Sequence, residues 1–306
     1  MVEIVVAIPT FRRPRSLKRL LDALATVEIE APIAVVVADN DAERHEGFDL
    51  CESLRASYRF ALDPIIAPER GIAQVRNALV ARALMYKTAR FVAMLDDDEW
   101  PSPQWLARFF AVQRETGADA LQGSILFEGA HADWSRGFDG LSPIRRPTGR
   151  VTALEGAGNL FLTRECLESL PAPWFDPAFA LSGGEDRDFF ERLAEAGKRF
   201  AWADEAVAYG AIPAERTSLR WTLGRAYAIG NAEMRIFLKR RRALGRSLQV
   251  YAKIAGALLL SPLMLVILMA HPNRAADALR RIFRNAGKLA ALFGWHHNEY
   301  AATHGE

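Results

Sequence analysis

The sequence is poor in cysteine and lacks the features of a targeting segment. Two cysteines, Cys51 and Cys166, occur among 306 residues, and neither belongs to a CxxC motif or a Cys/His cluster. This usage is typical of a reducing cytosol and excludes a zinc site built from thiolates. The N-terminal stretch has no basic segment followed by an apolar run long enough for a signal peptide, so we expect the catalytic part to stay in the cytoplasm.

Acidic residues are scarce in the last part of the chain. Residues 217–306 hold 14 Lys and Arg against four Asp and Glu, a net charge of +10, and the total of +2 therefore leaves −8 for residues 1–216. The acidic first part argues against nucleic acid as the main partner, and the basic last part favours an anionic membrane surface. A basic face that is merely solvated is the alternative.

Hydrophobic patterning predicts an α/β fold. Short apolar runs rich in β-branched residues predict buried strands over 3–9, 33–38 and 91–95. Helical periodicity lies between them, so we expect βαβ units and a mostly parallel, Rossmann-like sheet. The predicted helices are 16–24, 50–57, 72–89, 104–115 and 185–197, with further strands at 119–127, 159–163 and 199–203. Residues 128–150 are predicted to form a surface loop, and the chain from 218 onward is predicted to be helical.

Three consecutive aspartates, Asp96, Asp97 and Asp98, directly follow the third predicted strand. In open α/β sheets ligands bind at the carboxyl ends of strands. Adjacent carboxylates at a buried strand end are costly unless a cation neutralises them. Mg²⁺ or Mn²⁺, held by one or two carboxylates and a substrate phosphate, would meet that need. A solvated acidic turn that caps the helix after Pro101 is the alternative.

Several motifs occur in the order and at the spacing of one enzyme family. They are Pro9-Thr10 with Arg12, Asp39-Asn40, Glu69 to Ala73 with Arg76-Asn77, Asp96 to Pro101, Gly156 to Asn159, and Gly183 to Phe189. Over about residues 3–221 this set resembles family 2 glycosyltransferases of the GT-A fold, in particular bacterial exopolysaccharide transferases of the succinoglycan type. The resemblance implies a catalytic domain at 1–216, with a donor half at about 1–127 and an acceptor half at about 151–216, and a helical extension at 217–306.

The resemblance also implies a reaction and its partners. The reaction is the metal-dependent transfer of a sugar from a nucleotide sugar, with inversion of the anomeric configuration. The donor is expected to be a UDP-sugar, and the acceptor is a glycan or a polyprenyl-linked glycan in cell-surface polysaccharide synthesis. The residues implied in donor binding are Pro9, Thr10, Arg12, Asp39, Arg76, Asp96 and Asp97. Asp39 would hold the base or ribose. Asp98 would bind Mg²⁺ or Mn²⁺, with Asp96 at the metal or nearer the ribose. Arg76 faces either the diphosphate or the solvent.

On the acceptor side the resemblance implies roles for Gly158, Asn159, Gly184, Arg220 and Trp221. Residues 217–221 resemble the QxxRW motif of processive synthases, with Thr in place of Gln, so that Arg220 would touch the diphosphate and Trp221 would stack on the acceptor sugar. Because the Gln is missing, we expect one sugar to be added per encounter. Residues 209–213 lack the histidine that many relatives place on the metal, so the ion would rest on Asp98, phosphate and water.

Asp186 is the candidate base. If a helix begins near Gly184, Asp186 lies on one face with Phe189, Phe190 and Leu193, pointing toward the protein. Glu185 and Asp188 would then lie on the side that bears Arg192. The helix dipole keeps a carboxylate at this position ionised, which suits a base that takes the proton of the acceptor hydroxyl. Glu185 is the alternative base.

The apolar run 254–270 contains 17 uncharged residues, at the lower limit for a membrane span, and Pro262 interrupts it. Basic clusters flank it on both sides, which favours an interfacial or re-entrant helix at the cytoplasmic face over a full span. Within the second cluster, Arg281, Arg284 and Lys288 would share one basic face, opposite an apolar face of Ile282, Ala286, Leu289 and Phe293. A buried helix pair packed on the catalytic domain is the alternative.

Two other functions compete with glycosyl transfer. A nucleotidyltransferase would share the metal carboxylates, but it normally has a glycine-rich phosphate loop after the first strand, where this chain has residues 9–13 without glycine. A membrane-attached nucleotide-sugar binding protein without catalysis would not need Asp186.

Overall fold

A mixed α/β fold surrounds one central sheet. The computed structural model describes residues 2–128, 145–212, 214–240, 248–257, 259–260 and 272–297. Its nine strands are β1 (Ile4–Thr10), β2 (Ile33–Asp39), β3 (Ala61–Ile66), β4 (Phe91–Met94), β5 (Glu99–Pro101), β6 (Ala120–Glu128), β7 (Gly149–Val151), β8 (Leu160–Thr163) and β9 (Phe200–Ala211). They are ordered β3-β2-β1-β4-β8-β6-β9-β5, with β7 paired to β9. The predicted α/β architecture is therefore confirmed, but the sheet is mixed and not mostly parallel, because four of the eight strand pairs that the structure describes are antiparallel. Parallel pairing joins β3, β2, β1 and β4, and also β6 and β9, while the remaining pairs are antiparallel.

The first half of the chain builds the parallel part of the sheet and its helices. Its elements are β1 (Ile4–Thr10), α1 (Pro14–Leu24), β2 (Ile33–Asp39), α2 (Glu46–Leu54), β3 (Ala61–Ile66), α3 (Ile72–Met85), β4 (Phe91–Met94), β5 (Glu99–Pro101) and α4 (Trp105–Thr116). All seven residues of β1 and of β2 are buried, because helices cover both faces of these strands. The predicted helix at 50–57 begins earlier, at Glu46, since the Asp39 carboxylate accepts hydrogen bonds from the Gly47 and Phe48 amides and so fixes the helix start.

The second half completes the sheet and adds the helices of the extension. Its elements are β6 (Ala120–Glu128), β7 (Gly149–Val151), β8 (Leu160–Thr163), α5 (Arg164–Glu168), α6 (Glu185–Glu195), β9 (Phe200–Ala211), α7 (Leu219–Lys239), α8 (residues 248–257) and α9 (Pro272–Leu292). The antiparallel β8 lies between β4 and β6 and thereby joins the two halves into one sheet. Most of the predicted surface loop, residues 129–144, lies outside the described residues.

Helices α7 and α9 cross at very close range. A Cβ atom at Gly230 would lie 1.8 Å from the Arg284 carbonyl oxygen, and one at Gly287 would lie 2.0 Å from the Tyr227 carbonyl oxygen. The buried Asn231 side chain donates to the carbonyl oxygens of Gly287 and Trp295, which fixes the register of the pair. The two glycines therefore permit a backbone-to-backbone contact that any side chain would separate.

Gly230→Ala is expected to lower the free energy of unfolding by about 2 kcal/mol, because the added methyl group overpacks this crossing. Urea denaturation measures the change. Gly224→Ala is the matched control: it lies on the same helix, and a Cβ atom there meets nothing within 4 Å. Helix propensity alone predicts that this control stabilises the protein by at most about 1 kcal/mol. Equal effects of the two substitutions would contradict the close crossing.

The basic face predicted for α9 is wrong in part. Arg284 and Lys288 point toward α7, where both bind Glu233, whereas Arg281 is exposed. The sequence pattern could not reveal this, because the acid that binds them is 55 residues away from Lys288 on another helix. On the predicted apolar face, Leu289 is 38% and Phe293 70% exposed.

Most of the apolar run 254–270 lies outside the described residues. The part that is described continues α8, where Ile254 packs against Met234 of α7 and Ala291 of α9. Among the helices that the structure describes, none combines the length and the apolarity that crossing a bilayer requires.

Candidate active site

A cavity of about 920 Å³ opens at the carboxyl ends of the parallel strands. One wall comes from the ends of β1 and β4 and from the start of α3, and the opposite wall comes from α6 and α7. Residues 152–158, which precede β8, form part of the lining. The volume lies at the upper end of the usual range for small-molecule sites.

The first wall is tied together by Asp97. Its buried carboxylate accepts hydrogen bonds from Thr10 Oγ1 at 2.8 Å and from Arg13 Nη1 at 3.1 Å. Arg13 Nη1 also lies 3.0 Å from Asp98 Oδ2. Burial raises the pKa of Asp97 although Arg13 and Thr10 favour the ionised form. Asp97 therefore holds the end of β1 against the end of β4 and leaves Asp98 turned toward the cavity.

A buried arginine bridges the two walls. The Arg76 guanidinium on α3 binds Asp96 Oδ1 at 3.1 Å and also binds Glu185 Oε1 at the start of α6. Burial raises the pKa of Glu185 above its usual range in spite of Arg76, and the neighbouring Asp186 adds to the effect. Arg76 thus lies inside the cavity and not on a solvent-exposed helix face, so the surface alternative is wrong.

Asp186 occupies the first turn of α6 and lines the cavity. Gly184 caps this helix with φ +95°, in the left-handed region, and a Cβ atom there would lie 2.8 Å from the Ala232 side chain. Asp186 is half-buried, and its carboxylate oxygen lies 3.6 Å from the position of a Cβ atom at Gly156. Gly184 therefore permits the close approach of α6 to Ala232 of α7, and Gly156 lies next to the Asp186 carboxylate.

The side of α6 on which Glu185 and Asp188 were predicted to lie with Arg192 is covered in the structure. Glu185 is 2% and Asp188 0% exposed. Asp188 accepts hydrogen bonds from Lys239 and Arg240 at the end of α7. Helix α6 is covered on two sides: its apolar residues pack in the core, and Asp188 and Glu191 pair with Lys239 and Arg240 at the end of α7.

The carboxylates at this cavity supply one or two of the ligands that a hard divalent ion needs, but not a complete set. Asp96 and Asp98 are half-buried, with side chains 35% and 26% exposed, and both line the cavity. Among the described residues, no three Asp, Glu, His or Cys side chains converge as a ready-made metal site. This donor set suits Mg²⁺ or Mn²⁺ that is held by one or two carboxylates and completed by a diphosphate and water.

Two residues predicted to bind the donor lie behind the cavity wall. The Asp39 carboxylate is 1% exposed and accepts hydrogen bonds from the amides of Asp41, Gly47 and Phe48. Arg12, which has φ +55°, turns away and binds Asp41 and Glu43. Neither is among the residues that line the cavity. The residue that faces the cavity in place of Arg12 is its neighbour Arg13.

Two predicted acceptor-side contacts also lie elsewhere. Asn159 is fully buried: its amide donates to the Ser124 and Ala206 carbonyl oxygens, and its Oδ1 accepts from Trp105 Nε1 at 2.6 Å. It holds the sheet together and has no side-chain atom left for a ligand. Arg220 is exposed and outside the cavity lining, whereas Trp221 lines it.

Arg216 is a cavity-lining arginine that the sequence did not indicate. Its Nη2 lies 3.9 Å from Asp98 Oδ2, and its guanidinium lies 5.9 Å from the centre of the Trp221 ring. It comes one residue before the QxxRW-like segment, so the motif pointed to the correct part of the chain but not to this side chain. The remaining predicted residues, Pro9, Thr10, Gly158 and Gly184, line the cavity.

The chain is similar in sequence to known proteins. Residues 5–156 match the family described as glycosyl transferase family 2. The chain is 29% identical over 297 residues to the succinoglycan biosynthesis protein ExoM of Rhizobium meliloti (strain 1021), covering 96% of this chain and 94% of the relative.

Solved structures share the fold at low sequence identity. The mannosyltransferase PcManGT from Pyrobaculum calidifontis, in complex with GDP-Man and Mn²⁺, superposes with a TM-score of 0.60 at 18% identity, over 95% of this chain and 87% of that one. S. aureus TarS 1-349, in complex with UDP, superposes with a TM-score of 0.54 at 16% identity, over 96% and 92% of the two chains. These two neighbours are glycosyltransferases of the GT-A fold.

Proposed function

Because this chain carries a glycosyl transferase family 2 domain over residues 5–156, we propose that it transfers a sugar from a nucleotide sugar to an acceptor hydroxyl with inversion at the anomeric carbon. The observation that carries the proposal is that the candidate base and residues expected to bind the donor line one cavity. The donor-side carboxylates Asp96 and Asp98 face the same cavity as Asp186, and Arg76 links Asp96 to the helix that bears Asp186.

The donor diphosphate is held on the first wall. Arg13 and Arg216 both approach Asp98, so two guanidinium groups lie where the diphosphate would meet the metal carboxylate. Guanidinium groups bind phosphate oxygens with paired hydrogen bonds. The arrangement supports a UDP-sugar or GDP-sugar donor, and Asp39 shapes the wall around the nucleotide from behind.

Mg²⁺ or Mn²⁺ would be held by Asp98, with Asp96 beside it. Bound there, the ion supplies neutralisation of the charge that develops on the departing diphosphate. Both carboxylates line the cavity and are partly exposed, which leaves them accessible to an ion. Among solved neighbours, the mannosyltransferase PcManGT carries Mn²⁺.

Asp186 takes the proton from the acceptor hydroxyl. The hydroxyl oxygen attacks the anomeric carbon as the bond to the diphosphate breaks, and the proton passes to the Asp186 carboxylate. Glu185 is the less suitable base, because it is buried against Arg76 and burial favours its protonated form. Asp186 lies in the first turn of α6, lines the cavity and is not one of the two carboxylates that Arg76 is seen to bind.

The acceptor is a glycan of cell-surface polysaccharide synthesis, carried on a polyprenyl lipid. The relative from Rhizobium meliloti supports this class by its description as a succinoglycan biosynthesis protein. A lipid-linked acceptor requires the enzyme to work at the cytoplasmic face of a membrane. Exposed apolar side chains at the end of the chain support peripheral attachment: Leu248, Tyr251, Leu259, Leu260, Phe293 and Trp295.

Release of nucleoside diphosphate from UDP- and GDP-sugars tests the transfer itself. With Mn²⁺ and membrane extracts that contain lipid-linked glycans, we expect release from one donor to depend on the extract and radiolabelled sugar to move into the lipid fraction. Binding of every donor without any transfer to lipid or glycan would contradict the proposal.

Membrane attachment predicts that the protein floats with vesicles of phosphatidylcholine and phosphatidylglycerol. A Phe293→Ser, Trp295→Ser double variant is expected to lose roughly tenfold or more in partition, because two largely exposed aromatic side chains no longer insert. Met85→Ser is the control, since this side chain is also 62% exposed but lies on the donor half. Unchanged flotation of the double variant would contradict attachment through this end of the chain.

A further inference from the structure

A cluster of cations on the acceptor side of the cavity is not used by the donor chemistry. Glu233 on α7 is met by three of them: Arg187 Nη1 at 2.5 Å, Arg284 Nη2 at 2.6 Å and Lys288 Nζ at 3.0 Å. Arg187, Glu233 and Arg284 line the cavity. We call these four residues the Glu233 cluster.

Positive charge exceeds negative charge in this cluster. Among these four residues, three cations face one carboxylate. Two further acids lie beside Arg187: Glu191, which is also bound by Arg240, and Asp186, which accepts a hydrogen bond from the Arg187 backbone amide. Burial acts to raise the pKa of Glu233, but Arg284, Lys288 and Arg187 outweigh it and hold the pKa at about 2. Glu233 is therefore ionised at neutral pH, and the cluster keeps a surplus positive charge.

The cluster lies beside the candidate base. Arg187 directly follows Asp186, and its backbone amide donates to Asp186 Oδ1 at 2.6 Å. The cavity face of α7 presents Glu233 together with Trp221 and Arg225 and with the small or apolar side chains of Ala228, Ile229, Ala232 and Ile236. Arg13 and Arg216, which serve the donor side, contact a different carboxylate, Asp98.

We propose that the Glu233 cluster is an oxyanion subsite for the acceptor, which binds a phosphate or carboxylate group located close to the hydroxyl that reacts. Arg187 and Arg284 donate to the oxyanion, and Lys288 adds its charge. An acceptor held in this way presents its hydroxyl to the neighbouring Asp186. Glu233 holds the cations in place while the subsite is empty and competes with the bound anion. The inference rests on the proposed transfer reaction and adds the charge of its acceptor.

Binding of small sugars tests the subsite without knowledge of the natural acceptor. Glucose 1-phosphate, glucuronate and glucose are titrated calorimetrically, with the donor side filled by Mn²⁺ and the nucleoside diphosphate that the protein binds best. We expect one or both of the anionic sugars to bind and neutral glucose to bind on the order of tenfold or more weakly. Preference for glucose 1-phosphate identifies a phosphate group, and preference for glucuronate identifies a carboxylate. Equal binding of glucose and both anions would overturn the proposal.

Three variants separate the subsite from a general loss of structure. Arg284→Gln is expected to weaken binding of the preferred anion on the order of tenfold, and Arg281→Gln, an exposed arginine one turn earlier on α9, is expected to leave it unchanged. Glu233→Gln is expected to tighten it severalfold, because the competing carboxylate is removed while an acceptor for the Arg284 hydrogen bond remains. A folding defect cannot tighten binding, so weaker anion binding in Glu233→Gln, or equal effects of the two arginine variants, would overturn the proposal.

Nucleoside diphosphate binding, measured in the same variants, distinguishes this inference from the proposed function. If the wild type binds no nucleotide, the proposed transfer fails. If nucleotide binding is intact in all variants but anion binding does not respond to Arg284→Gln, only the subsite fails.

Discussion

Asp186→Asn is expected to slow sugar transfer by on the order of a hundredfold or more while the donor nucleotide still binds. The amide has nearly the same shape as the carboxylate but cannot accept the proton of the acceptor hydroxyl. Because Asp186 is half-buried on the cavity wall and is not part of the Arg76 ion pairs, the substitution should leave the fold unchanged. Transfer rate and nucleotide affinity, measured on the same preparation, check both parts of the expectation.

Glu185→Gln is the comparison that decides between the two adjacent acids. It removes the charge that pairs with Arg76 and should affect donor binding and stability together, since Arg76 also holds Asp96. If Asp186→Asn transfers at nearly the wild-type rate and Glu185→Gln is inactive with its nucleotide binding intact, the base is Glu185 and the assignment of Asp186 is wrong.

Asp98→Ala is expected to abolish the gain in nucleoside diphosphate affinity that Mn²⁺ or Mg²⁺ confers, and to lower the transfer rate by roughly a hundred- to a thousandfold. The loss of a metal carboxylate removes the charge neutralisation of the leaving diphosphate. Calorimetric titration of the nucleotide with Mn²⁺ and with EDTA measures the first effect, and the rate of nucleotide release measures the second.

The EDTA titration distinguishes a metal carboxylate from a partner of arginine. Without metal, Asp98→Ala leaves Arg13 and Arg216 beside one fewer negative charge, so the variant should bind the diphosphate at least as tightly as the wild type. Weaker binding of the variant in EDTA, or wild-type binding that is the same with and without metal, would contradict the metal assignment.

The sequence predicted those parts of the fold that depend on short-range patterns. The runs that form β1, β2 and β4 are continuous and apolar, because both faces of these strands are covered, and such runs are visible without a structure. Strand β3 was missed. It contains Asp63 and Pro64 and starts with an exposed residue, so it resembles a loop until β2 pairs with it.

Within the site, sequence reasoning found residues that follow a strand end or begin a helix. Asp96, Asp98 and Asp186 line the cavity because the sheet brings those ends to one edge. The sequence does not reveal a side chain's direction where that direction depends on one backbone angle or on a distant partner. Arg12 turns away at φ +55° and leaves the position to Arg13, and Asn159 is consumed by hydrogen bonds to two strands and to Trp105.

The sequence also does not reveal which groups the basic residues of the helical extension bind. A basic helix face predicts an anionic partner, but the pattern cannot say whether that partner is a lipid or an acid of the same chain. Glu233 forms ion pairs with two of the three cations predicted for the basic face of α9. The close crossing at Gly230 and Gly287 makes this contact possible. The presence of glycines in this predicted helical region did not indicate that two helices cross there.

The anomeric configuration of the transferred sugar tests the central claim most directly. A single carboxylate base facing one donor site implies direct displacement, so proton NMR of the first product should show the configuration opposite to that of the sugar in the nucleotide donor. A product that retains the donor configuration would require either a covalent intermediate on a second nucleophile or attack from the face that the diphosphate leaves. Either route would contradict the assignment of Asp186 and the mechanism built on it.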